Sequence, residues 1–566
     1  MRNLRWQLLI AVGGLVLVIG LLIGQTTTPN TISPEPVAGG AYAEAMVGEI
    51  MRLNPILDSY NQVDHDIDRL VFSGLLRFDP RGNPVPDLAE SWSISADASL
   101  YTFTLREDAS WHDGVPVSSD DVIYTFSKIQ DEDYPGPADL HELWAEISII
   151  RLDERRVQFQ LPESFAPFLD YLSQPLLPDH LLRGVSAGEL IDHPFNLEPV
   201  GSGPFRFNQF LLEGEEIVGV SLLAFEEYHD ARPFLDRVEI LLFPDQASAY
   251  QAYLDGEVLG IQQVDPPVLS EVLADPGLNL YSTRLPRLGI VFLNLNHPEK
   301  TFLQDKAVRH ALLLAINRQW IVDRAFMGQA VVAEGPFMPG TWAHSENLPE
   351  YAFDPVQAAR TLVASGWELP AGATPGSSEY VRTNEDGERL NLELVYASTG
   401  QQAQIAEIIA AEWEAVGVEV ELVAADPVQI LEDYLSPRSY QAVLTEINFS
   451  DSPDPDPYPF WHDSQTETGQ NYSGFVDRNS SIWLEQARTT PDAGRRKELY
   501  SSFQYRFQDQ LPALLLYYPV YNFALDAQIQ GVRIGPVFNP SDRFNNITNW
   551  HLLARRGVAA EPTSAP

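Results

Sequence analysis

A helix that ends on glycine and leads into an alternating strand constrains this chain more than any other feature. Ala403 to Ala415 reads as a helix, Gly417 ends it, and Val418, Val420 and Leu422 then alternate as a strand. Glycine accepts the left-handed backbone that closes a helix, and period-two alternation marks a half-buried strand. Elements in this order pack as α/β layers. The same pattern recurs along the chain. Tyr101 to Leu105 and Val157 to Leu161 alternate apolar and polar. Asp113-Gly114 predicts a turn, and Ser118 with Asp121 predicts a capping box for a helix running to about Gln130. Asp305 to Met327 predicts one helix closed by Gly328, and Asp354-Pro355 opens another that stops before Gly366. No period of 20–50 residues repeats, which excludes a solenoid or propeller.

The material for a large core is present. The chain has 566 residues, 45% of them hydrophobic and 11% aromatic, which excludes disorder as the main state. Its 36 Lys and Arg against 79 Asp and Glu give a net charge of −43. Such a polyanion repels a phosphate backbone, so no nucleic-acid partner is expected. The charge suits a cationic or zwitterionic ligand, or a solvated surface. With no cysteine, disulfides, thiolate metal sites, cysteine nucleophiles and a lipid-modified N-terminal cysteine are all excluded.

At the N-terminus, Arg2 and Arg5 precede an apolar run from Leu8 to Gly24, and no charge follows Arg5 until Glu35. Seventeen residues of helix reach about 25 Å, the short end of a membrane span. Positive charge before the run leaves the N-terminus in the cytoplasm and the remainder outside. Ala41-Tyr42-Ala43 resembles a cleavage site but lies too far beyond the run, so residues 1–25 read as an anchor. Residues 26–41, rich in Thr, Pro and Gly, read as a tether, and the folded part is expected to begin near Tyr42.

A screen for chemistry returns little. There is no phosphate-binding Gly-Lys loop, no nucleophile elbow and no zinc helix. Gly201-Ser202-Gly203 is followed by Pro204 and reads as a turn into a strand. His112-Asp113 and His462-Asp463 lack a helical i, i+4 partner, so they read as structural. Neither a catalytic residue nor a metal or cofactor site is indicated, and the chain does not read as an enzyme. Two segments stand out. Phe449 to His462 interleaves carboxylates, prolines and aromatics, which suits either an ammonium pocket or a stiff acidic surface loop. Leu514 to Tyr521 reads as a strand ending in an aromatic cluster, either lining a site or packing a core.

Several stretches resemble one family in order. Leu88 to Ser95, Tyr101 to Arg106 and Trp111 to Val122 are similar to the signature of the family 5 solute-binding proteins, the extracytoplasmic peptide receptors of ABC importers. Pro199 to Phe205, Asp305 to Gly328, Phe353 to Trp367 and Tyr517-Tyr518 continue the match. Two departures occur: Asp97-Ala98 stands where the family usually has Asp-Gly, and Leu259 follows Gly256-Glu257-Val258 where an Asp is frequent.

The resemblance implies an α/β, two-lobed periplasmic-binding-protein type II fold, with an extra domain in the first lobe and a hinge around a central cleft. Domain I would take residues 42–80, 198–290 and 515–553, domain II 81–197 and domain III 291–514, leaving 554–566 as a tail. Ligand would bind between the lobes, pairing like an added strand. By position, the resemblance assigns strand pairing to Tyr60, Asn61 and Gln62. It assigns the acid that holds a peptide amino terminus to the stretch containing Asp451 and Asp454. Phe449, Tyr517 and Tyr521 would line the site. The function implied is a monomeric receptor, anchored at the outer face of the cytoplasmic membrane, that delivers peptides or peptide-like solutes to an ABC permease and ATPase. An oligosaccharide, metal chelate or haem is the alternative ligand, although no histidine cluster favours nickel. A sensory binding protein without a transporter and a hydrolase are the competing classes.

Overall fold

The computed structural model describes residues 34–79, 81–449, 454–535 and 537–556; of residues 34, 139 and 553–556 it describes the backbone. The anchor segment, residues 1–25, lies outside them. Among the described residues no helix is long and apolar enough to cross a membrane.

The alternating patterns become strands. Leu100–Leu105 buries Tyr101, Phe103 and Leu105 on one face. It lies within a four-stranded antiparallel sheet, in the order Ala89–Ile94, Leu100–Leu105, Arg156–Gln160 and Ser148–Arg151. Tyr101 faces Phe159 across the ladder. Phe126, Trp144, Phe159 and Phe168 close over this sheet with ring centroids 4.1–5.8 Å apart. The helix Ser119–Ile129 carries the expected capping box: the Asp121 carboxylate accepts the Ser118 N–H at 2.8 Å.

A twelve-stranded mixed sheet organises the rest. One half contains Phe205–Glu213, Glu216–Ala224, Arg237–Phe243, Ala41–Val47 and Gly260–Ile261. The other contains Arg287–Leu293, Ala442–Asn448, Asn391–Ala397 and Glu419–Ala425. A single 14-residue strand, Ala513–Asp526, belongs to both. Its first residues pair with Arg287–Leu293, and its last seven pair with Leu278–Arg284. Arg287–Leu293 therefore sits inside the second half, and the chain passes between halves at residues 285–286, just before it. Separate cores lie on each half. One packs Tyr42, Ile67, Phe103, Phe168, Phe205 and Phe523; another packs Ile290, Phe292, Trp461, Tyr500 and Phe503.

Three details differ from the sequence reading. The stretch from Asp305 to Met327 forms two helices, Lys306–Leu314 and Arg318–Ala325. The reason is Asn317, whose side chain accepts the Trp320 N–H at 3.0 Å and starts a new helix. Gly328, at φ +82°, closes the second helix through its N–H to the Val322 carbonyl, 3.0 Å. The helix before Gly417 begins at Gly400, three residues early, because Thr399 caps it. Within the expected tether, Pro34–Val37 pairs antiparallel with Leu553–Arg556.

Candidate functional site

The glycines of Gly201-Ser202-Gly203 let two segments touch. A Cβ on Gly201 would lie 1.9 Å from the Val71 carbonyl oxygen, so only glycine fits. His112 locks this turn. Its Nδ1 accepts the Gly201 N–H at 3.2 Å and its Nε2–H donates to the Gly203 carbonyl at 3.0 Å. Burial pushes the ring's pKa down to about 4. His462 is likewise structural: it stacks on Tyr458, contacts Ser464 Oγ at 2.8 Å through Nδ1, and reaches Glu485 through Nε2 at 3.1 Å.

Tyr60 is 80% exposed. Asn61 caps the helix Gln62–Val71 by accepting the Val63 N–H, and it donates to the Glu49 carbonyl at 2.9 Å, tying the preceding loop down. Gln62 donates to Asp66 at 2.7 Å and to Asn539 at 2.8 Å. Asp66 leads into a network that sequence reasoning missed. Arg543, fully buried, lies 2.8 Å from both Glu44 and Asp66. Tyr42 donates to Glu44 at 2.6 Å, and Gln262 donates to Asp66 at 2.7 Å. Burial alone would lower the pKa of Arg543, but the charges of Asp66 and Glu44 override it and hold the guanidinium protonated. Tyr521 joins the same network by donating to the Gln262 carbonyl at 2.5 Å. Gln62 and Tyr521, far apart in sequence, are thus brought together.

The other expected residues lie elsewhere. Tyr517 is buried in the second half, donates to Glu446 at 3.0 Å and accepts from Gln402 at 3.1 Å. Phe449, half-buried, donates its N–H to the Pro286 carbonyl at 2.7 Å and meets Phe460 edge-on. Asp451 lies outside the described residues. Asp454 is buried at 4% exposure and pairs with Arg496, while Tyr500 donates to its other oxygen at 3.2 Å. Asp456 takes Arg488 Nε at 2.9 Å. From Asp454 onwards the segment is neither an open ammonium pocket nor a solvated surface loop. Its described acids Asp454 and Asp456 carry arginine counter-ions. Arg488 and Arg496 were not singled out from sequence; the signal was a stiff Asp-Pro repeat whose carboxylates need cations if buried. A surface cavity of about 560 Å³ is lined by His112, Asp113, Arg206, Phe225 and Arg232, and by none of the expected ligand residues.

Comparison with known proteins adds the lineage. Residues 83–470 match the model for the middle of the bacterial extracellular solute-binding proteins, family 5. The oligopeptide-binding protein AppA of Bacillus subtilis is 26% identical over 526 residues, covering 92% of each chain. The dipeptide-binding protein of Escherichia coli is 26% identical, covering 80% of this chain and 84% of its own. The solved structure of B. subtilis AppA with a nonapeptide superposes with a TM-score of 0.65 at 23% identity, covering 92% of this chain and all of that one.

Proposed function

The chain belongs to the bacterial extracellular solute-binding proteins of family 5, and from that premise we propose that it captures peptides between its two lobes for delivery to an ABC importer. The observation that carries this reading is the pair of relatives named for oligopeptide and dipeptide binding, the first aligned over 92% of both chains. We take the protein as a monomeric binding protein with no catalytic step of its own, held at the outer face of the cytoplasmic membrane by residues 1–25.

We take the division into domains from the family resemblance. Residues 42–80, 198–290 and 515–553 would form domain I, 81–197 domain II and 291–514 domain III. Two lobes are supported by the passage of the chain at residues 285–286 and by the strand Ala513–Asp526 shared between halves, while the packing of Ile290 and Tyr517 with the second half favours domain I boundaries a few residues before 290 and after 515. Tyr60, exposed, and Phe449, half-buried, remain free to meet a ligand. Asn61, Gln62, Tyr517 and Tyr521 would shape the frame behind it, since each already bonds within the protein.

A peptide amine that loses water between lobes needs a fixed anion. Asp454 is engaged by Arg496, which leaves Asp451 as the proposed anchor. Calorimetric titration with one peptide, free and N-acetylated, tests this. Asp451→Ala should cost roughly 2–5 kcal/mol in affinity for the free peptide, as for a truncated buried charge pair. Equal affinity for free and acetylated peptide would discard the amine anchor.

A further inference from the structure

The two halves touch at a second place, away from the strand they share. The short 3-10 helix Ala166–Ser173 belongs to the first half, where Phe168 and Leu172 are fully buried in its core. Its other face meets the second half. Asp170 Oδ2 accepts the backbone N–H of Asp454 at 2.5 Å, and both residues are under one-tenth exposed. Beside it, the Arg488 guanidinium lies 5.0 Å from the Phe165 ring centroid and 4.3 Å from that of Tyr458. It therefore reaches an aromatic ring from each half.

The receiving side is already built. Arg488 is tied to Asp456, and Arg496 to Asp454. Arg496 also donates to the Tyr500 hydroxyl at 3.0 Å and lies 5.0 Å from the Trp342 ring centroid. Tyr500, Trp342 and Tyr458 pack with the second core, and both members of each ion pair belong to the second half. Among the described residues, separation would expose Asp170, Phe165, the Asp454 N–H and one face of Arg488. These are few groups, and each finds water when the halves part. Such a contact is strong enough to bias closure and weak enough to release.

We propose that Phe165 and Asp170 close on the Asp454–Arg496 and Asp456–Arg488 pairs as a clasp, which sets the balance between open and closed forms before any ligand arrives. A ligand that binds the closed form then meets it in proportion to its population, so weakening the clasp weakens apparent affinity. The affinity consequence rests on the reading that ligand enters between the halves; the ligand-free balance does not.

The absence of cysteine makes the test clean. Leu197 and Val428, 52% and 62% exposed, are replaced by Cys and spin-labelled, one label on each half. Pulsed dipolar spectroscopy then reads the distance between halves in the full chain without ligand. The parent should give a dominant short distance. Asp170→Ala and, independently, Phe165→Ala should each add a longer population, and each should weaken peptide binding by about tenfold. Phe165→Ala removes only a half-buried ring, so it serves if Asp170→Ala misfolds. Identical distance distributions in the parent and the folded variants would overturn the clasp, as would a parent that is already mostly open. If the distances shift but no peptide binds, the clasp stands and the peptide reading fails.

Discussion

His112 shows how much one buried ring can decide. Its two bonds need a neutral imidazole, with Nδ1 accepting from Gly201 and Nε2–H donating to Gly203. The folded pKa is held down to about 4 by burial, against an ordinary value of 6.5. Between those values the unfolded chain binds a proton that the folded protein refuses. The stability owed to His112 is therefore complete above pH 6.5 and lost as pH falls towards 4, an amount of about 3 kcal/mol. Urea unfolding from pH 4 to 7 should show a shallower acid limb for His112→Gln than for the parent; equal slopes would contradict the assignment. The sequence marked His112 as structural because no partner stood at helical spacing. It could not mark Arg543, whose partner Glu44 is 499 positions away. Nor could it show that Asp454 is neutralised by Arg496, because nothing local links a loop carboxylate to an arginine on a later helix.

At the scale of elements, local signals were the readable ones. The capping box at Ser118, the glycine stops at Gly366 and Gly417, and the alternation at Tyr101 to Leu105 each act within a few residues, and each formed as expected. Asp97-Ala98, the departure from the family's Asp-Gly, places Ala98 at φ +51°, a region that glycine adopts at less cost. The error over Asp305 to Met327 arose because an amphipathic face continued across a cap: Val308, Ala311, Leu312, Ala315 and Ile316 are all buried, yet Asn317 restarts the helix. Removing that cap with Asn317→Ala should cost about 1 kcal/mol of stability, and Asn317→Ser should restore most of it. Chemical denaturation of both variants checks this; an Ala variant as stable as the parent would mean that packing alone sets the break.

For the whole molecule, the α/β class followed from the order of local elements, while the division into halves came from the family resemblance. Hydrophobic pattern cannot say which strands share a sheet: Ala41–Val47 and Arg237–Phe243 pair in parallel although nearly two hundred residues separate them. The same scale governs location. We expect the protein to fractionate with membranes, and removal of residues 1–33, which leaves the strand Pro34–Val37 in place, to release it. A native protein whose N-terminal sequence begins near Tyr42 would contradict the anchor. The central claim, that a peptide is the ligand, is tested most directly by native mass spectrometry of the protein as purified, with release and fragmentation of whatever it carries. The account predicts a set of adduct masses that fragment as short peptides. A single non-peptide adduct, such as a sugar or a metal chelate, on a protein that then ignores added peptides would contradict it.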